Sequence, residues 1–230
     1  AEFWSLPSIS RVTEKLLHEP DCRNTVVSRL SVPVSELFRD PQVFLRFREE
    51  VLPRLASFPR INIWQAGCAG GEEVYSLAIL LEELGLSARS HIFATDINEV
   101  ALARAREGIY PLRDARTYSV NYQQAGGAGS LSDYMHAQYD HVKLDDRLRE
   151  RVSFVAHNLG SDGVFVEAHL ILCRNVLIYF DQGLRQRVMR LFRNSLARNG
   201  FLVTGLRERL EPDPALEVLG DGIYRRLADR

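Results

Sequence analysis

Lysine is nearly absent from this chain. Of its 29 basic residues only Lys15 and Lys143 are lysines; the others are arginines. A phosphate loop of the Walker type ends its glycine-rich turn in a lysine followed by Ser or Thr, and no lysine lies between positions 15 and 143. Cysteine is scarce as well. Cys22, Cys68 and Cys173 are odd in number and widely spaced, which gives neither a disulfide framework nor a zinc cluster, so no metal centre is expected. Cys68 and Cys173 sit in apolar stretches and read as small buried thiols in a reducing compartment. No apolar run approaches the ~20 residues of a membrane helix. The first thirty residues hold Pro7, Arg11, Glu14, Lys15 and Glu19 rather than a signal-peptide core. A cytoplasmic protein without membrane insertion is therefore expected. An excess of either charge is also missing: 29 basic residues face 30 acidic ones, for a net charge of −1. With no basic stripe, general nucleic-acid binding is not expected.

What is present is an ordinary globular composition. The 230 residues are 46% hydrophobic and 26% charged, which excludes a disordered or fibrous chain. A chain of this length buries a large core unaided and forms one main domain with a small attachment. Residues 1–60 read as a short N-terminal helical region and 61–230 as the main domain. In the first region, Ser10 to His18 reads as a short helix. Pro41 to Phe58 reads as a longer one, with Val43, Phe44, Phe47, Val51 and Leu55 at helical spacing, Asp40 as its cap and Pro53 as a possible kink.

From residue 61 the rhythm changes. Ile61 to Ala66 reads as a strand, followed by Gly67, Gly70 and Gly71. A helix over about 72–84 carries Val74, Leu77, Ala78 and Leu81 on one face. His91 to Thr95 is a second strand, closed by Asp96, and Asn98 caps a helix to about Arg106. This is a βαβ unit of a parallel sheet. Residues 109–150, with Gly126, Gly127 and Gly129 and no strong helical period, read as a small inserted subdomain. Strands follow at 152–156, 169–173 and 201–204, with a helix over 182–198. Leu216 to Leu219 and Ile223 to Leu227 flank Gly220-Asp221-Gly222 as a hairpin. The expected fold is a Rossmann-like, mostly parallel α/β sheet ending in an antiparallel hairpin.

The turn Gly67-Cys68-Ala69-Gly70-Gly71 lets a ligand approach the backbone, but its spacing does not match the dinucleotide fingerprint GxGxxG. Glu72 and Glu73 follow in the first helical turn, where the helix dipole favours acids. They would repel a diphosphate and welcome a cationic ligand end; S-adenosylmethionine, with an ammonium, a sulfonium and no phosphate, fits. Asp96, at the carboxyl end of the second strand, is placed to accept ribose hydroxyls or, alternatively, to serve the next helix as a cap. Asn158 and Leu159 follow the third core strand, suited either to an adenine edge and face or to a turn. Arg174-Asn175 interrupts an apolar run, either lining the crevice or satisfying loop backbone.

Five segments together resemble the CheR-type chemotaxis receptor glutamate methyltransferases. They are Gly67 to Ser76, Thr95-Asp96-Ile97, Gly108-Ile109-Tyr110, Asn158-Leu159 and Cys173-Arg174-Asn175-Val176-Leu177-Ile178-Tyr179-Phe180-Asp181. Glu36-Leu37-Phe38-Arg39-Asp40-Pro41 is similar to the family's arginine-bearing segment. The resemblance implies a class I methyltransferase sheet with an inserted β-subdomain, S-adenosylmethionine as cofactor, S-adenosylhomocysteine as product, and the cytoplasmic domain of a chemoreceptor as partner. It implies cofactor contacts at Ser35, Arg39, Gly67, Glu72 (methionine end), Asp96 (ribose), Asn158, Leu159 (adenine), Asn175 and Val176. Arg39 and Tyr179 fall near the transfer centre as the catalytic pair. A monomer is expected. Gly205-Leu206-Arg207-Glu208 departs from the family's glycine-histidine-serine-glutamate at its two middle positions. That departure keeps two other readings open: a divergent methyltransferase acting on another protein or a small molecule, and a non-catalytic module that binds the cofactor.

Overall fold

A computed structural model describes Arg11 and residues 35–227. The helix expected over Ser10 to His18 therefore lies outside the described residues, Arg11 excepted.

Among the described residues ten strands form two sheets. In chain order they are β1 (Ile61–Ala66), β2 (Ser90–Asp96), β3 (Ile109–Pro111), β4 (Met135–Gln138), β5 (His141–Leu144), β6 (Val152–Ala156), β7 (Ala168–Cys173), β8 (Leu196–Thr204), β9 (Leu216–Gly220) and β10 (Ile223–Arg226). The main sheet has seven strands in the order β6-β2-β1-β7-β8-β10-β9. The first five strands of that order pair in parallel; β10 joins β8 and β9 antiparallel. This is the Rossmann-like sheet with a terminal hairpin. β1 runs in register from Ile61↔Ser90 to Ala66↔Thr95 on one side and from Ile63↔Leu170 on the other. Ile63, Trp64, Ala66, Leu170, Ile171 and Leu172 are fully buried, as parallel strands covered on both faces require. Chain order reverses between β1 and β7, and such a switch point opens a crevice at the carboxyl ends of the strands.

The inserted stretch forms the second sheet, β3-β5-β4, antiparallel throughout. It also contains a helix that the sequence pattern does not announce, Ala115–Gln124, which buries Tyr118 and Tyr122 one turn apart. Tyr122 donates its hydroxyl to Glu83 at the end of the helix Glu72–Glu83, so a tertiary bond supplies what local periodicity lacks.

Two other expectations are corrected. The helix over Pro41 to Phe58 is not continuous: α-helix at Pro41–Arg46 gives way to a π turn at Phe47–Val51 and resumes at Leu52–Leu55. Pro53 has no N–H to donate, and the preceding Leu52 N–H reaches back five residues to the Phe47 carbonyl. Asp40 precedes this helix in a left-handed conformation without capping it, because its carboxylate is engaged by Arg174. The helix over 182–198 stops at Ser195. Leu196 already pairs with Ala168 as β8, and Arg226 donates to the Arg193 and Leu196 carbonyls at the changeover. The hairpin and the helix Glu99–Glu107 are as expected, with Asn98 Oδ1 accepting from the Val100 and Ala101 N–H groups.

Candidate active site

The carboxyl ends of β1, β2, β6 and β7 converge on a cleft of about 430 Å³, a volume within the ~300–1,000 Å³ range of small-molecule sites. Gly67 and Cys68 leave β1 and both donate backbone N–H to the Thr95 carbonyl of β2, at 2.8 and 2.9 Å. Gly67 takes φ +75°, and a Cβ there would lie 2.4 Å from Val176 Cγ2; the turn and the Val176 loop therefore close on each other only if this residue is glycine. Gly71 starts the helix Glu72–Glu83 at φ +87°, where a Cβ would meet Ala105. Tyr110, reaching over from the inserted sheet, donates to the Gly70 carbonyl at 2.8 Å.

Asp96 Oδ2 accepts from the Ala69 N–H at 2.8 Å and Oδ1 from the Asn98 N–H at 2.9 Å. One bond to each oxygen leaves lone pairs on both for further donors. Asp96 thus fixes the glycine turn and the next helix while still offering acceptors to the cleft. Asn158 Oδ1 accepts from the Gly160 N–H at 2.8 Å, so the turn role of this side chain is real and its amide lies in the cleft wall beside Leu159.

The two neighbouring glutamates separate. Glu73 lines the cleft; Glu72 does not. Successive helical residues point about 100° apart, so one faces the strand ends and the other turns away. Glu73 Oε1 accepts from Gln65 Nε2 at 2.8 Å and Oε2 from Arg174 Nη1 at 2.5 Å. Glu72 lies beneath Gly70, with one oxygen 3.4 Å from Arg104 Nη2 and the other, Oε2, buried without a partner. Burial lifts its carboxyl to about 7. The acid that lines the cleft is therefore Glu73, not Glu72.

Arg174 joins the halves of the site. Its side chain is 1% exposed; beyond Glu73 it donates to Asp40 Oδ2 at 2.5 Å and to the Arg39 carbonyl at 3.2 Å. The segment carrying Ser35 and Arg39 is also tied down where the Phe38 N–H donates to Ser76 Oγ at 2.8 Å and Asn121 Nδ2 to the Leu37 carbonyl at 3.1 Å. The structure thus brings Ser35, Arg39, Gly67, Asp96, Asn158, Leu159, Asn175, Val176 and Tyr179 to one cleft, and leaves Glu72 out. Gln65 and His157, to which the sequence pattern gives no ligand role, also line the cleft, as does Glu73, which the sequence offers to a cationic ligand end only jointly with Glu72. A polar residue inside the apolar strand 61–66 was the available signal for the first. Cys68 and Cys173 are buried thiols, each pushed up first by burial.

Residues 33–219 match the family described as CheR methyltransferase, SAM binding domain. The chain belongs to the CheR methyltransferase family. A Pseudomonas putida protein carrying the name methyltransferase Cher3 is 47% identical over 204 residues, covering 89% of this chain and 75% of that protein. A chemotaxis protein methyltransferase of Listeria monocytogenes is 31% identical over 202 residues, 86% of this chain and 74% of its own length. That of Borreliella burgdorferi is 30% identical over 213 residues, 87% and 73%. The family's cofactor is S-adenosylmethionine, and the cleft suits it. It presents carboxylates (Asp96, Glu73) and apolar walls (Ile97, Leu159, Val176). No helix among the described residues is long and apolar enough to cross a membrane.

Proposed function

We propose that this chain transfers a methyl group from S-adenosylmethionine to glutamate side chains of bacterial chemoreceptors. The observation that carries this reading is the pairing, at one cleft, of a cofactor wall with Arg39 and Tyr179. Asp96 would hold the ribose, Glu73 the methionine ammonium, and Asn158 with Leu159 the adenine. The cofactor, when bound, supplies an electrophilic methyl on a sulfonium. Nothing in the cleft needs to act as a strong base, since a glutamate with an ordinary value near ~4.3 is already ionised at neutral pH. His157 lines the cleft but is 9% exposed and directs Nε2 at the Gly163 carbonyl, 3.2 Å away.

The protein's task is alignment and exclusion of water, and alignment alone is worth up to roughly 7–11 kcal/mol. Arg39 supplies the cation that orients the incoming carboxylate. Tyr179, 65% exposed, stands at the mouth, where its hydroxyl donates to the acceptor or its ring faces the sulfonium, a contact of ~0.5–2 kcal/mol. Radiolabelled methyl from S-adenosylmethionine is expected on a receptor cytoplasmic fragment as base-labile ester. Tyr179→Phe should lower the transfer rate while S-adenosylhomocysteine still binds in calorimetry. A protein that binds S-adenosylhomocysteine yet labels no receptor fragment overturns the reading.

A further inference from the structure

After β8 the chain makes a four-residue turn, Gly205 to Glu208, closed by the Glu208 N–H donating to the Gly205 carbonyl at 2.8 Å. The Glu208 side chain then folds back into the molecule and is 6% exposed. Its Oε2 accepts from the Gly205 N–H at 2.6 Å and the Asn175 N–H at 2.8 Å, and its Oε1 from the Ile178 N–H at 3.2 Å. One carboxylate therefore locks the turn to the segment that carries Asn175, Ile178 and Tyr179, and Asn175 is held at φ +60°. The two middle residues, Leu206 and Arg207, are left at the tip. Leu206 is 37% exposed, and Ile178, whose N–H the same carboxylate holds, is 46% exposed. Arg207 is exposed and makes no ion pair among the described residues.

A rigidly anchored turn that displays one apolar side chain and one unpaired cation next to the transfer site is suited to reading a protein segment. We infer that the Gly205–Glu208 turn is an acceptor-recognition element. Arg207 takes a carboxylate of the acceptor other than the one methylated, and Leu206 with Ile178 takes an apolar neighbour. The partner is thus an acidic protein segment with at least two carboxylates and an apolar side chain within reach of each other. This rests on the protein-glutamate reading and adds a specificity residue to it. Charge complementarity carries it: an acceptor that presents glutamate carboxylates meets an exposed cation with no ion pair among the described residues.

The test measures acceptor KM, cofactor KM and S-adenosylhomocysteine affinity for wild type, Arg207→Ala and Arg207→Glu, with a receptor cytoplasmic fragment as acceptor. The alanine variant should raise acceptor KM about tenfold and the glutamate variant further, with cofactor KM and S-adenosylhomocysteine affinity unchanged. High salt should narrow the gap by weakening wild type more than either variant. Arg207→Glu with an acceptor KM within about twofold of wild type overturns the inference, as does an equal loss of cofactor affinity. Wild type that labels no fragment overturns the underlying reading and this inference together, whereas wild type and Arg207→Glu labelling alike sinks the inference alone.

Discussion

Glu208→Gln is the substitution whose effect follows most directly from the geometry. The carboxylate accepts three backbone N–H groups, two at Oε2 and one at Oε1. An amide has one acceptor oxygen and an NH2 group. In its better orientation the oxygen keeps the Asn175 and Gly205 donors and the NH2 confronts the Ile178 N–H; in the other, two donors are lost. A buried donor left unsatisfied costs about 1–3 kcal/mol. The two surviving bonds also change from charge-assisted to neutral, which roughly halves them. Together the loss is about 2–4 kcal/mol. At about 2–4 °C per kcal/mol for a chain of this size, the thermal midpoint should fall by about 5–15 °C.

Thermal unfolding followed by circular dichroism reads the shift directly. Glu211→Gln, an exposed position three residues on, should stay within about ±0.5 kcal/mol of wild type. Because Asn175 lines the cofactor cleft, Glu208→Gln should also weaken S-adenosylhomocysteine binding at temperatures where both proteins are folded. A midpoint within about 2 °C of wild type would mean that the three bonds are worth far less than assumed, and the reasoning would fall.

Gly67→Ala should be poorly tolerated. The left-handed φ costs ~1–2 kcal/mol and the new Cβ meets Val176 Cγ2 at 2.4 Å, so calorimetry should show at least about tenfold weaker S-adenosylhomocysteine binding. Asp96→Asn turns an NH2 toward the Ala69 or Asn98 N–H and removes a charged acceptor, and the same titration should find affinity about 10–100-fold lower. Glu72→Gln should change how stability depends on pH. The folded carboxyl is raised from 4.5 to about 7 by burial, so between those values the folded state holds the proton more firmly than the unfolded chain. Wild-type stability should then fall as pH rises through that window, by roughly 3 kcal/mol at ~1.4 kcal/mol per pH unit. Denaturant titrations should find the variant free of this slope and the more stable protein above pH 7; parallel profiles would show that burial does not govern Glu72.

Features governed by neighbours in the chain were legible before any coordinates. The apolar run Ile61 to Ala66 with its glycine turn, Asn98 ahead of a helix, and Gly220-Asp221-Gly222 between two strands each carry their own signal, and each forms the element expected. That Asp96, Asn158 and Asn175 line the cleft was legible for a related reason: in a parallel sheet the residues at the carboxyl end of a strand lie over the crevice, so only their strands had to be recognised. Where distant parts of the chain decide, the pattern was silent. Residues 115–124 are helical with Tyr118 and Tyr122 buried and Tyr122 bonded to Glu83, 39 positions away. Ser195 ends a helix because the next residue pairs with Ala168. Glu72 and Glu73 are chemically equal in sequence, and only the rotation of their helix against β1 and β7 makes one a cleft residue and the other a buried acid.

Arg174 shows why that rotation matters for the chemistry. Taken alone, a guanidinium buried between Glu73 and Asp40 is weak evidence of stabilisation, since desolvating such ions offsets much of their attraction. Its value lies in what it connects. Glu73 belongs to the helix that follows the glycine turn, Asn175 is the next residue in the chain, and the Arg39 carbonyl and Asp40 belong to the segment that brings an arginine to the mouth of the cleft. Three parts of the chain, with bonds spanning up to 135 positions, are therefore held in one register by one planar fork whose bond directions are fixed. If the enzyme acts by alignment, as an acceptor that is already ionised requires, the distance between the cofactor wall and Arg39 is the quantity the protein has to control. The buried charge cluster is placed at the joint that sets it.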